Sequence, residues 1–327
     1  MQQEALLTCA FSTYNASETI EFAIESAFNQ TYKNKEYLII DDCSNDNTLK
    51  IISEINKKKN NVIHIVKNDK NRGIGEVRNQ LIKLSNGVFI AFFDHDDYSH
   101  PDRVKEQIKS IQRFEKKHNI QSENSPLCYT NRKIIFSPKN FLICKSVSYD
   151  VNKYSNTDGA LALLSAKRMP KFNLSGSTAT CTLCARKKSL VFIGGFNNEL
   201  RRYEDLDLAI NALLKKTSLI SVDEILLDQF FKNEAYKKNS EIYELKMIKL
   251  HKKFLEENNL FDFSYNFAKM KHYFINYNLF YFFKYLLYLQ YKYPINFITK
   301  VMGSFKTFFF SFLNKLYSNA NNKNVLE

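Results

Sequence analysis

The hydrophobic residues of this chain fall into short unbroken runs that alternate with longer stretches of helical spacing. Residues 5–11 form a compact apolar run that ends abruptly in Ser12-Thr13-Tyr14-Asn15. Ile20, Ala23, Ile24, Ala27 and Phe28 then recur three and four apart, the spacing of one buried helix face, with Asn15 and Glu18 as a start signal. The pattern repeats. A run at 37–40 leads into Asp41-Asp42-Cys43-Ser44-Asn45-Asp46, and Leu49, Ile51, Ile52 and Ile55 predict the next helix. Residues 57–61 read as a solvated turn, 62–66 as a third strand, and 67–75 as a loop into a helix through Val77, Leu81, Ile82 and Leu84. The fourth run, residues 88–93, drives six apolar residues straight into Asp94-His95-Asp96-Asp97. Unbroken apolar runs of this length mark strands buried on both faces. Four strand-helix alternations with connections too long for hairpins predict a mainly parallel sheet with helices on both faces. In such sheets ligands bind beyond the carboxyl ends of the strands. The clusters 12–15, 41–46 and 94–97 all follow strands, so this topology gathers them on one rim.

The second half is less regular. Pro101-Asp102-Arg103 starts a helix running to about residue 117, and 118–126 form a polar loop. Residues 127–131, 133–136 and 141–149 read as strands with a turn at 137–140; a helix at 160–166 and a strand at 179–185 follow. Gly194-Gly195-Phe196 is a break, and Tyr203-Glu204-Asp205-Leu206-Asp207-Leu208 opens a helix with its acids in the first turn, where they complement the helix dipole. Beyond residue 241 the character changes. Ile242, Leu245, Ile248 and Leu255 mark a Lys-rich amphipathic helix, and the runs 280–288 and 308–313 are too aromatic for ordinary exposed helices. Lys284, Lys292, Lys300 and Lys306 interrupt every run before the roughly 18 uncharged residues that a spanning helix needs. Helices lying at a membrane interface, or packed on a protein partner, fit that composition. The expected organisation is therefore a domain over 1–230, regular to residue 117 and less regular over 118–230, followed by a helical, aromatic and basic extension over 231–327.

Composition narrows the function classes. The 327 residues are 44% hydrophobic, enough for a full core, and carry a formal charge of +13. Residues 226–327 hold 15 Lys+Arg against 8 Asp+Glu, so the excess is densest in the last third. That fits an anionic membrane or a diphosphate substrate. No helix-turn-helix, zinc or RNA-binding signature is present, so no nucleic-acid partner is expected. Six cysteines without regular spacing, and no apolar N-terminal signal segment, indicate a reducing cytoplasm. Cys181 and Cys184 lack a second pair at zinc spacing.

The candidate chemistry lies in the acids. Asp94 and Asp96, two apart where a strand ends, can hold a hard divalent cation, and a cation so held binds phosphate oxygens. The loop Asn71-Arg72-Gly73-Ile74-Gly75 lacks the third glycine of a dinucleotide fingerprint and follows the third strand rather than the first. It reads instead as a tight entry to a helix whose N-terminus, with Arg72 and Arg78 near, favours an anion.

Taken in order and spacing, Ser12-Thr13-Tyr14-Asn15, Asp41 to Asp46, Asp94-His95-Asp96-Asp97 and Glu204-Asp205 resemble the motifs of family 2 glycosyltransferases, as does Gly194-Gly195-Phe196. The resemblance covers residues 5–225 and implies an α/β GT-A fold, with 1–117 as the nucleotide-binding half and 118–230 as the acceptor half. It implies a nucleotide-sugar donor, with UDP as the nucleotide, bound by Ser12, Tyr14, Asp42, Arg78, Asp94 and Glu204; Ser12 and Asp42 would contact the uracil or ribose. Asp94, Asp96 and Asp97 would hold Mn or Mg, with Asp96 the direct ligand and His95 pointing away. Asp205 would be the general base of an inverting transfer. No GxxRW-like acceptor motif occurs and Trp is absent, so transfer of one sugar at a time is expected rather than polymerisation. The implied acceptor is a glycan or glycolipid of a lipopolysaccharide or capsule type, with the tail on the inner face of the plasma membrane. The rivals are a sugar-phosphate nucleotidyltransferase, which wants a glycine-rich basic loop where Ser12 to Asn15 stand, and a non-enzymatic basic nucleic-acid- or membrane-binding protein.

Overall fold

The structure, a computed structural model, describes residues 4–147, 155–165, 176–231, 240–298 and 300–301. The aromatic run at 308–313 and the end of the strand expected at 141–149 lie outside them. The chain divides into two compact units, one of residues 1–160 and 173–247 and one of residues 161–172 and 248–327.

The first unit opens with the expected alternation: β1 (Leu7–Thr13), α1 (Ile20–Phe28), β2 (Lys35–Asp41), α2 (Thr48–Lys58), β3 (Ile63–Lys67), α3 (Ile74–Leu84) and β4 (Phe89–Asp94). Then come β5 (Asp97–Ser99), α4 (Arg103–His118), β6 (Leu127–Ser137), β7 (Asn140–Cys144), α5 (Asn156–Ser165, assigned to the second unit from residue 161), a 3-10 turn (Thr180–Thr182), β8 (Cys184–Arg186), α6 (Lys187–Ile193), α7 (Glu204–Leu214) and β9 (Leu219–Phe230). One sheet takes every strand in the order β3-β2-β1-β4-β8-β6-β9-β5, with β7 pairing on β6. The first four strands are parallel, as is β6 with β9, whereas β8 and β5 run antiparallel to their neighbours. β5 is a three-residue strand that follows β4 after only His95 and Asp96, with no helical crossover between them.

Every residue of β1 is buried, and side-chain alternation splits β1 and β4 between two layers. Leu7, Cys9 and Phe11 join Phe89, Ala91 and Phe93 in one cluster with Ile20 and Ile24 of α1 and Val104, Ile108 and Ile111 of α4. Ala10, Ser12, Ile90, Phe92 and Asp94 point the other way, where Phe92 meets Phe196 edge-on at 5.6 Å. The register pairs Ser12 with Asp94 and Thr13 with Asp41, so the predicted clusters do end on one rim.

Several expected elements differ in detail. Residues 127–137 are one strand, not two, because the polar pair Asn131-Arg132 is absorbed as a bulge against β9 rather than breaking the ladder. The strand expected at 179–185 is the 3-10 turn followed by β8. Asn15 does not cap α1. It sits at φ 48°, its Oδ1 accepts from Asn45 N–H at 2.9 Å, and Thr19 holds the N-cap position.

In the second unit, α8 (Ser240–Leu250) leads in from the first unit and is followed by α9 (Lys252–Glu257), α10 (Phe261–Ile275) and α11 (Leu279–Lys292). The amphipathic stretch beyond 241 is thus two helices rather than one. Phe263, Met270, Leu289 and Phe297 form a small aromatic core here, flanked by Phe267, Phe282 and Tyr285. Asp262 accepts from Tyr288 Oη at 2.7 Å and Tyr293 Oη at 2.8 Å and pairs with Lys292 at 3.3 Å, which locks α10 to α11. No helix among the described residues is long and apolar enough to cross a membrane.

Candidate active site

The rim of the first unit is built from the ends of β1, β2 and β4 and the first turns of α3 and α7. Asp42, one residue beyond β2, extends the ladder by donating its N–H to Thr13 O at 2.8 Å. Its carboxylate accepts from the backbone N–H of Arg72 and of Gly73, each at 2.9 Å, and from Asn68 Nδ2 at 2.8 Å. The anion attracted to the entry of α3 is therefore Asp42 itself. Gly73 sits there at φ 91°, a conformation that favours glycine, and so exposes consecutive amides to one carboxylate. Ser12 is buried beside these residues, whereas Tyr14 is 43% exposed on the rim.

Arg78 is the electrostatic centre. It lies one turn into α3, is 5% exposed, and donates from Nη1 to Glu204 Oε1 at 2.7 Å and from Nη2 to Asp94 Oδ1 at 3.3 Å. Its guanidinium also lies over the Phe196 ring, 5.4 Å from the centroid. The Gly194-Gly195-Phe196 break explains that placement: Gly194 closes α6 at φ 99° and Gly195 continues at φ 70°, so the chain reverses and Phe196 enters under Arg78. Asn79 holds the reversal by bonding Phe196 N–H and C=O, both at 2.8 Å.

Glu204 and Asp205 open α7. Glu204 faces Arg78, and burial together with the Glu204 charge pushes the Asp205 carboxyl up to about 6, against the opposing pull of Arg78. A carboxylate poised there can accept a proton near neutral pH.

Asp94, Asp97 and Cys181 bring one ligand atom each to within 4.8 Å of one another. Asp97 is 4% exposed, and neither of its oxygens has a partner within hydrogen-bonding geometry. Burial, with the Asp94 and Asp96 charges beside it, raises its carboxyl well above the usual range. Two hard oxygen donors converging, one of them buried and unpaired, fit a divalent Mg or Mn ion, for which the Cys181 thiol is an indifferent neighbour. Asp96, expected to be the direct ligand, is partly exposed and lies outside this group of three. His95 turns its Nδ1 to Thr19 Oγ1 at 3.2 Å, in the direction of α1.

The structure thus brings Arg78, Asp94, Glu204 and Asp205 together, holds Asp42 in the neighbouring loop, and sets Tyr14 on the open rim. Two supports were missed in the sequence. Arg103 is fully buried, donates to the carbonyls of Phe92 (3.0 Å) and Cys181, and stacks 4.1 Å from the Phe93 centroid. Arg132 of β6 lies beside Cys181, with Nη1 4.0 Å from its sulfur. Both arginines read as ordinary polar residues at a helix start and a strand break. Only the pairing of the 3-10 turn with β4 reveals what they hold.

Comparison with known proteins agrees with this geometry. The profile of "Glycosyl transferase family 2" matches residues 8–154. The β-1,3-glucosyltransferase WfaP of Escherichia coli, named as acting with UDP-Glc on α-D-GlcNAc-diphosphoundecaprenol, is 36% identical over 138 residues, 42% of this chain and 49% of that protein. The putative teichuronic acid biosynthesis glycosyltransferase TuaG of Bacillus subtilis is 32% identical over 104 residues, 32% of this chain and 41% of that protein. The match spans no more than about half the length of these curated relatives. Residues 1–349 of S. aureus TarS, crystallised with UDP-GlcNAc, superpose with a TM-score of 0.57 at 20% identity, covering 82% of this chain and 72% of that one. At that identity the likeness is one of fold, and the fold is GT-A. The profile match covers residues 8–154, just under half of the chain, and over that stretch, which supplies most of the rim, the chain is similar to glycosyltransferase family 2.

Proposed function

We propose that this protein transfers one sugar from a UDP-sugar to a hydroxyl of a glycan or glycolipid acceptor, with inversion at the anomeric carbon and with Mn or Mg as cofactor. The observation that carries the reading is the convergence on Arg78 of Asp94, from the strand end that bears the acidic cluster, and Glu204, whose neighbour Asp205 is poised near 6. Asp205 takes the proton of the attacking hydroxyl as it displaces the diphosphate in a single step, and that displacement inverts the centre. A cation on Asp94 and Asp97, with Asp96 beside them, would neutralise charge building on the leaving diphosphate. Arg78 stays neutralised by Glu204 and Asp94 and keeps both carboxylates in place. The names of the relatives, which act in polysaccharide and lipid-linked glycan synthesis, support the acceptor class.

Calorimetry with UDP, UDP-glucose, UDP-galactose and UDP-N-acetylhexosamines, with and without Mn, tests the donor site. One donor is expected to bind only with metal, and Asp205→Asn should keep that binding while losing turnover. Absence of any uridine nucleotide binding to the folded, metal-loaded protein would overturn the reading.

A further inference from the structure

The sequence of α11 divides its side chains between two opposite faces. Leu289 is fully buried, and Phe282, Tyr285 and Leu286 pack on the same side against α10. Phe280, Phe283, Leu287 and Tyr291 fall three and four residues apart on the other side and are 75%, 53%, 64% and 92% exposed. A stripe of this kind on a water-soluble surface marks an interaction site.

The surroundings select the occupant. From residue 258 to 301 there are five lysines and a single acid, Asp262, which is already held by Lys292, Tyr288 and Tyr293. Lys284 lies beside the stripe, in a stretch where lysines outnumber acids five to one, so the face presents aromatic rings flanked by net positive charge. The four exposed side chains offer roughly 500–600 Å², taking about 150–250 Å² for a whole aromatic side chain. A stable interface with a second copy needs about 800 Å² from each partner. Aromatic rings with lysines at their flank are what the headgroup layer of an anionic bilayer receives. We propose that the outer face of α11 is a membrane-docking surface on which the helix lies in the plane of an anionic bilayer, inserting Phe280, Phe283, Leu287 and Tyr291 among the headgroups. The inference stands apart from the transfer reaction and is tested without substrate.

The test is co-sedimentation of the full chain with vesicles of phosphatidylcholine alone and of phosphatidylcholine mixed with phosphatidylglycerol. Binding is expected to the mixed vesicles and to weaken severalfold with added salt or with Lys284→Glu. Phe280→Ser combined with Leu287→Ser should lower the partition coefficient about tenfold or more. Both positions are exposed, so the melting curve of this variant should match that of the wild type. Equal binding of the serine variant, failure of the wild type to bind either vesicle, or a lipid-free dimer that the serine pair dissolves would each overturn the proposal. Donor binding by calorimetry is a separate readout and is expected to be the same in both proteins.

Discussion

Replacing Arg78 by methionine removes the positive charge and keeps most of the side-chain volume. Arg78 is 5% exposed, and its partner Glu204 has a side chain only 11% exposed, so the variant leaves Glu204 charged in a dry site. Breaking one side of a buried pair costs about 3–5 kcal/mol. The Asp94 side chain is 27% exposed, so water screens that bond and it adds little; the contact over Phe196 adds about 0.5–1 kcal/mol. The expected loss is therefore about 3–5 kcal/mol, or roughly 6–20 °C in melting temperature for a unit of this size. Urea unfolding followed by far-ultraviolet dichroism measures it. Arg78→Met/Glu204→Met, which removes both charges, should recover at least half of the loss, since neutral isosteres of a buried pair are often tolerated. A single variant within about 0.5 kcal/mol of wild type, the scatter of ordinary surface substitutions, would refute the reasoning. So would a double variant as unstable as the single one.

Asp205, pushed up to about 6, should give kcat/KM a fall with decreasing pH below about 6, and a rate that stays flat down to pH 5 would remove it as the base. Because the folded state raises this carboxyl above its ordinary 3.8, it binds the proton more tightly than the unfolded chain does; the associated stability is present below about 3.8 and is lost as pH rises through about 6. Asp205→Asn should therefore be stabilising by about 1–3 kcal/mol at neutral pH and nearly neutral in stability at pH 4, measured by urea unfolding at both. Mn or Mg should raise the melting temperature, by an amount corresponding to about 2.7 kcal/mol at a hundredfold excess over its dissociation constant, and Asp97→Asn should abolish that rise. Gly195→Ala places a Cβ against Asn79 Oδ1 at a φ of 70°, and should cost about 1–3 kcal/mol by urea unfolding, while its effect on the Phe196 position should weaken donor binding in calorimetry.

The alternation of runs and spacings made the first four strands and three helices legible, because each buries apolar residues at its own period and follows the last without a long detour. Asp42 and Asp94 were legible as candidates because acids directly after apolar runs have few structural reasons to be there, whereas Arg78 was legible from its place near a helix entry and Glu204-Asp205 only from the order of the motifs. Their partners were not legible. That Asp42 is consumed by Arg72 and Gly73 amides, or that Arg78 reaches Glu204, depends on contacts between residues 30 and 126 positions apart. Residues 127–186 were read poorly for a different reason. Their strands are short, carry polar residues such as Arg132 that the fold buries, and take their register from β9, which lies much later in the chain.

The route of the sheet gives the acidic cluster one more property. β4 and β5 are joined by only His95 and Asp96, yet in the sheet they are separated by β8, β6 and β9. The hydrogen-bonded path from β4 through those strands to β5 returns to its own starting point across two residues, a closed circuit with Asp94 and Asp97 at the clasp. A two-residue hinge fastened at both ends by ladders has little conformational freedom left to lose. An arriving cation would meet oxygens already in position, so its affinity would not be reduced by the free energy of ordering a loop, and release of the product need not wait for that loop to reorganise.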